Sequence, residues 1–142
     1  MARSLRLEAP GNIYHVTVRG DRREDIFDDD ADRVSMLDLI NDAVELHHWH
    51  LLAYCLMDNH YHLEVETPIV SLAAGMHRIN GAYSQRYNAR HHRVGHVFQG
   101  RYKALPILTD VHLLGACRYI VRNPLRARLV SDPGQWEWSS YR

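Results

Sequence analysis

The chain has 142 residues, the size of one domain, and its hydrophobic fraction of 46% is enough for a real core. No apolar run approaches the ~20 residues needed to cross a bilayer. The N-terminal Met1 to Arg6 leads into Glu8 and Pro10 without an apolar stretch, so no secretory signal and a cytoplasmic location are expected. The two cysteines, Cys55 and Cys117, lack CxxC spacing and read as small buried side chains in a reducing compartment.

A formal net charge of zero argues at first against a nucleic-acid partner. The distribution argues the other way. Residues 1–66 carry 6 Lys and Arg against 14 Asp and Glu, whereas residues 67–142 carry 11 against 3. Thr67 to Thr109 holds no acid at all, yet it contains Arg78, Arg86, Arg90, Arg93, Arg101 and Lys103. Such asymmetry suggests an anionic partner for one part of the molecule. The alternative is that the two halves interleave and neutralise one another.

In chain order, Ile13 to Arg19 is rich in β-branched and aromatic residues and predicts a first strand. Asp28-Asp29-Asp30 offers an N-cap and first-turn acids for a helix, with Val34, Leu37, Ile40, Val44 and His47 as its buried stripe. Trp49 to Met57 predicts a second strand and His60 to Glu66 a third, joined as a hairpin by Asp58-Asn59. A second helix fits Val70 to about Arg90, with Leu72, Met76, Ile79, Tyr83 and Tyr87 on one side. A basic loop follows. Arg101 to Leu108 predicts a fourth strand, whose Pro106 suits an edge. A third helix spans Asp110 to Arg122, and Pro124 disfavours helical geometry at Asn123. Trp136, Trp138 and Tyr141 are expected to pack back on the body. The order is α+β, and its first six elements match the βαββαβ, ferredoxin-like pattern, in which the first and third strands are central. One domain over residues 1–142 is expected, with the third helix added at the C-terminal side.

Two groups of residues carry chemistry. On the third strand, period-two alternation puts His60 and His62 on one face, with Glu64 and Glu66 further along it. Two imidazoles so placed can converge on a divalent cation, and carboxylate or amide oxygens can complete its shell. The plain alternative is a solvated strand face. On the third helix, Leu113, Ala116, Cys117, Ile120 and Val121 form the core stripe. Tyr119 points the other way, with His112 and Gly115, and Asn123, four residues on, shares that face if helical geometry persists through it. Gly115, one turn before Tyr119, leaves room for a bulky substrate. Arg118, Arg122 and Arg126 flank this face, and the end of a helix favours a cation near Asn123. A tyrosine among arginines can also be a surface tyrosine. The combination points further: a phenol nucleophile, a Lewis acid held by His60, His62 and Asn123, and arginines to neutralise phosphate would together attack a phosphodiester.

Met57 to Leu63, containing His60-Tyr61-His62, resembles the His-hydrophobic-His motif of single-tyrosine transposases. The chain as a whole is similar to the REP-associated tyrosine transposases, relatives of the insertion-sequence-200-like enzymes. Tyr14 to Gly20, Gly95 to Tyr102, Tyr119 to Pro124 and Trp138 to Tyr141 carry the closer resemblance. Asp58 stands where proline is frequent in the family. The resemblance implies a ferredoxin-like catalytic domain using Mg2+ or Mn2+. It implies cleavage of single-stranded DNA near hairpins through a 5′-phosphotyrosine, by a monomer or a homodimer. By motif position it assigns the metal to His60 and His62, with Asn123 completing the shell, and the nucleophile to Tyr119. Arg19, Arg90, Arg93, Arg101 and Lys103 are the expected DNA contacts. Tyr102 is the alternative nucleophile, because its strand face cannot be fixed from sequence. The competing readings are a hairpin-binding protein without turnover, a hydrolase using water, and a zinc-stabilised domain.

Overall fold

The computed structural model describes residues 8–141. The N-terminal stretch from Met1 to Arg6 and the terminal Arg142 lie outside the described residues. Strand β1 (Asn12–Arg19) is followed by helix α1 (Asp30–His47) and by a hairpin of β2 (His50–Leu56) and β3 (His60–Thr67). Helix α2 (Leu72–His91), strand β4 (Lys103–Ile107), helix α3 (Asp110–Val121) and the short α4 (Asn123–Arg126) complete the order. The starts of α1 and α3 follow from their caps. The Asp29 carboxylate accepts from the Asp32 amide at 3.1 Å, and the Thr109 hydroxyl accepts from the His112 amide at 3.1 Å.

The four strands form one sheet in the order β2-β3-β1-β4, with antiparallel pairing throughout. The first and third strands are central, as the element order implies, and Pro106 lies in edge strand β4. Alternation splits the two central strands cleanly. Tyr14, Val16 and Val18 of β1 and Tyr61, Leu63 and Val65 of β3 are buried under α1 and α2 with Met36, Ile40, Met76, Ile79 and Tyr83. Each such side chain contributes about 1.5–3 kcal/mol by leaving water. Gly75 lets α2 approach this layer closely: a Cβ there would sit 2.2 Å from the Trp49 ring.

The opposite face is different. Helix α3 covers only part of it, burying Ala116 and Ile120 against Ala53, Cys55 and Met57 of the β2 side. The polar residues of β1 and β3 occupy the remainder. The C-terminal tail runs along the outer edge of β2: the Leu56 amide donates to Trp138 O at 2.8 Å and the Ser140 amide to Tyr54 O at 3.0 Å. This covers an edge that would otherwise expose unpaired backbone groups.

Four expectations need correction. Val34 is 48% exposed, because the inner side of α1 is taken by Asp32, Arg33, Met36, Leu39 and Ile40. Arg33 is buried between Phe27, Trp136 and Trp138 and pairs with Asp58 at 2.7 Å. A stripe counted from apolar residues alone misses such paired charges. Val70 is exposed and precedes α2, and β4 begins at Lys103 rather than Arg101. Helical geometry also persists past α3: Arg122 has φ −91° and ψ −1°, and the Ala127 amide bonds to Asn123 O at 2.9 Å. Pro124 falls at the second position of α4, where its missing N–H costs nothing.

Candidate active site

The site is built on the sheet face that α1 and α2 do not cover. Register places Arg19 opposite His60 and Thr17 opposite His62. The rings of His60 and His62 lie 5.0 Å apart, nearly perpendicular at 85°. His60 Nδ1 is 2.7 Å from Asn59 Oδ1, so this nitrogen carries the proton and donates. His62 Nδ1 lies 3.0 Å from His15 Nε2 and 3.2 Å from the Thr17 hydroxyl. Both rings are therefore oriented through Nδ1, and Nε2 of each makes no hydrogen bond among the described residues. This is the arrangement in which outer partners aim an imidazole at a metal.

Burial pushes His60 down to about 4, with Arg19 and Arg126 adding to the effect against Asp58. Burial likewise pushes His62 down to about 2, helped by His60, His15, Arg126 and Arg19. Both imidazoles are neutral at ordinary pH, the form that ligates. A divalent ion thus fits the donor set: two neutral imidazoles whose Nε2 atoms make no hydrogen bond among the described residues.

Tyr119 of α3 stands against His62 and His15. Its ring lies 5.8 Å from that of His62 and 5.8 Å from that of His15, edge-on to both. It is 46% exposed. It borders a cavity of about 680 Å³ that also takes in His15, Thr17 and His62 from the sheet. Gly115 lines the same cavity, and a Cβ there would meet nothing within 4 Å. The other candidate phenols are elsewhere. Tyr61, Tyr83, Tyr87 and Tyr102 all belong to the core under α1 and α2, on the far side of the sheet from the histidines. Neither thiol is a nucleophile at neutral pH, because burial pushes Cys55 and Cys117 up to about 12.

Asn123 is buried at the start of α4, and its Oδ1 accepts from Arg126 Nη2 at 2.6 Å. Its Nδ2 is buried without a partner. The Arg126 guanidinium in turn lies 3.8 Å above the centre of the Tyr119 ring. Glu64 points to the histidine face but is closed off from it: it is fully buried and accepts a hydrogen bond from the Cys117 thiol.

Of the expected DNA contacts, Arg19, Arg101 and Lys103 line the cavity beside Tyr119. Arg90 and Arg93 are not brought there. Arg90 bonds to Asp29 at 2.6 Å and to Asp32 at 2.8 Å, and Arg93 lies 3.6 Å from Asp28. Here the two halves of the charge asymmetry neutralise each other. Asp28, Asp32 and His91 in this patch also have donor atoms within 4.8 Å of one another, close enough to share an ion. Their oxygens are already committed to Arg90, His91 and Arg93, so the group locks the start of α1 to the end of α2. His15, Thr17, Asn59 and Gln99 are the site residues that the sequence reading misses. The available signal was the alternation of polar His15, Thr17 and Arg19 within an otherwise apolar strand.

Residues 10–123 match the family model described as IS200-like transposase. The chain belongs to that family. A search of curated proteins finds no match. Among solved structures, a REP-associated tyrosine transposase bound to a REP hairpin superposes with a TM-score of 0.82 at 16% identity, over 99% of this chain and 83% of that one. A protein from Deinococcus radiodurans R1 described as a transposase gives a TM-score of 0.56 at 18% identity, over 84% of this chain and 95% of that one. At these identities the likeness is one of fold. IS200-like membership places the chain among the enzymes of DNA transposition. No described helix is long and apolar enough to cross a membrane.

Proposed function

We propose that this IS200-like transposase is a single-tyrosine nicking and joining enzyme of the REP-associated kind, acting on single-stranded DNA beside a hairpin. The observation that carries the reading is the position of Tyr119, the one exposed tyrosine among those described whose ring abuts His62, in a cavity shared with Arg19, Arg101 and Lys103. The phenol oxygen attacks the scissile phosphorus, the bond to the 3′ oxygen breaks, and the phenol proton is given up as the leaving oxygen takes one. A 5′-phosphate stays on Tyr119 and a 3′-OH is freed. The covalent link keeps the bond energy, so a 3′-OH can later reverse the step and join strands.

His60, His62 and Asn123 would hold Mg2+ or Mn2+, which supplies Lewis-acid polarisation of the phosphate when bound. His15 and Thr17 keep the His62 ring in register, and Asn59 does the same for His60. Arg19, Arg101 and Lys103 neutralise and track the DNA backbone. The parts lie within one chain, so a monomer suffices, and residues 1–142 act as one catalytic domain. Hairpin DNA as partner is supported by the ligand of the REP-associated structure that shares this fold.

A fluorescent single strand carrying a hairpin, incubated with the protein and Mn2+, tests the reading on a denaturing gel. The wild type should retain label as a protein–DNA adduct, and Tyr119→Phe should not. Cleavage without attachment, or equal adduct in both proteins, rejects this nucleophile.

A further inference from the structure

The sequence reading makes Arg126 a flanking charge; the structure gives it a position among the reacting groups. Its side chain is exposed, yet its guanidinium covers the Tyr119 ring at 3.8 Å and donates to Asn123 Oδ1 at 2.6 Å. Its charge also acts on both His60 and His62. Two groups assigned to the chemistry, Tyr119 and Asn123, thus meet one cationic side chain, close to where the end of α3 favours a cation.

The amide of Asn123 decides what this means. A guanidinium only donates, so the atom it holds is the carbonyl oxygen. The nitrogen is left buried without a partner. That oxygen is the only atom of the amide a metal ion could use. It has two lone pairs, but a guanidinium and a divalent ion on one oxygen repel each other.

We propose that Arg126 is a cationic latch: it holds the Asn123 oxygen and covers Tyr119 while no divalent ion is bound, and must release both when one is loaded. The inference rests on His60, His62 and Asn123 being the ligands. Released, the planar fork of Arg126 is free to pair with a phosphate oxygen beside Tyr119.

Mn2+ titration of the full chain without DNA, followed by the loss of the free-ion paramagnetic resonance signal, tests this. Arg126→Ala should bind Mn2+ about tenfold more tightly than the wild type, the scale of one charge-assisted hydrogen bond released. Arg126→Lys, which keeps the charge but loses the fork, should show a smaller gain. In an Asn123→Ala background the gain from Arg126→Ala should fall to about threefold or less, because no oxygen remains to be freed. An Arg126→Ala affinity equal to or weaker than wild type overturns the latch. So does an equal gain in both backgrounds, which would be bare charge repulsion. If His62→Ala leaves Mn2+ binding unchanged, the ligand reading fails and the latch with it. If His62→Ala abolishes binding while Arg126→Ala brings no gain, the latch alone fails.

Discussion

Gly115 offers a way to separate the fold from the cavity. It sits in the middle of α3, on the face that borders the cavity, and a Cβ there would meet nothing within 4 Å. Gly115→Ala therefore adds a methyl group in open space and removes a flexible residue from a helix interior. The expected gain is roughly 0.5–1 kcal/mol. For a chain of this size that raises the melting temperature by about 1–4 °C. Gly115→Trp keeps the backbone but sends an indole into the cavity of about 680 Å³ that borders Tyr119. If DNA passes through that cavity, affinity for a hairpin-bearing single strand should fall at least ~10-fold, about 1.4 kcal/mol. Gly115→Ala should change it less than about twofold on the same scale. Circular-dichroism melts report the first effect and fluorescence anisotropy at fixed salt the second. A lower melting temperature for Gly115→Ala would mean that this face of α3 is packed. Unchanged DNA affinity in a folded Gly115→Trp would mean that DNA enters elsewhere.

Other expectations follow from the same contacts. Gly75→Ala should destabilise the fold by about 1–3 kcal/mol or more, since its Cβ would collide with the Trp49 ring at 2.2 Å; a denaturant midpoint equal to wild type would contradict the packing. Arg101→Ala and Lys103→Ala should each lower the slope of DNA affinity against salt by about one. Arg90→Ala should leave that slope unchanged, because its donors are spent on Asp29 and Asp32. Acidification should destabilise the metal-free protein. His60 and His62 stay neutral when folded, so below the ordinary value of 6.5 the unfolded chain takes up protons first. Their contribution is intact above pH 6.5 and is lost progressively toward pH 4, the folded value of His60. Melting curves from pH 7.5 to 4.5 should show a shallower decline in His60→Gln; an identical decline in both proteins would refute the cause.

What the sequence made legible was what local periodicity controls. Alternation along β3 put His60 and His62 on one face, and the element order implied central first and third strands. The third helix presented Tyr119 away from its apolar stripe because 100° per residue leaves little choice. Partners across strands were not legible. His15 reaches His62 only through the pairing of β1 with β3, a register set by contacts between residues far apart in sequence. Charges were the least legible of all. Arg90 and Arg93 look like Arg101 in composition, yet the former close an ion-pair patch on α1 and the latter lines the cavity. Asp32 and Arg33 likewise sit inside rather than out because each finds a partner there.

The covalent attachment point is the most direct test of the account. After reaction with a hairpin-bearing single strand, nuclease trimming and trypsin digestion, mass spectrometry should find the residual nucleotide on the peptide Tyr119 to Arg122. Nucleotide on the peptide that carries Tyr102, or on no peptide while the strand is cut, would contradict it.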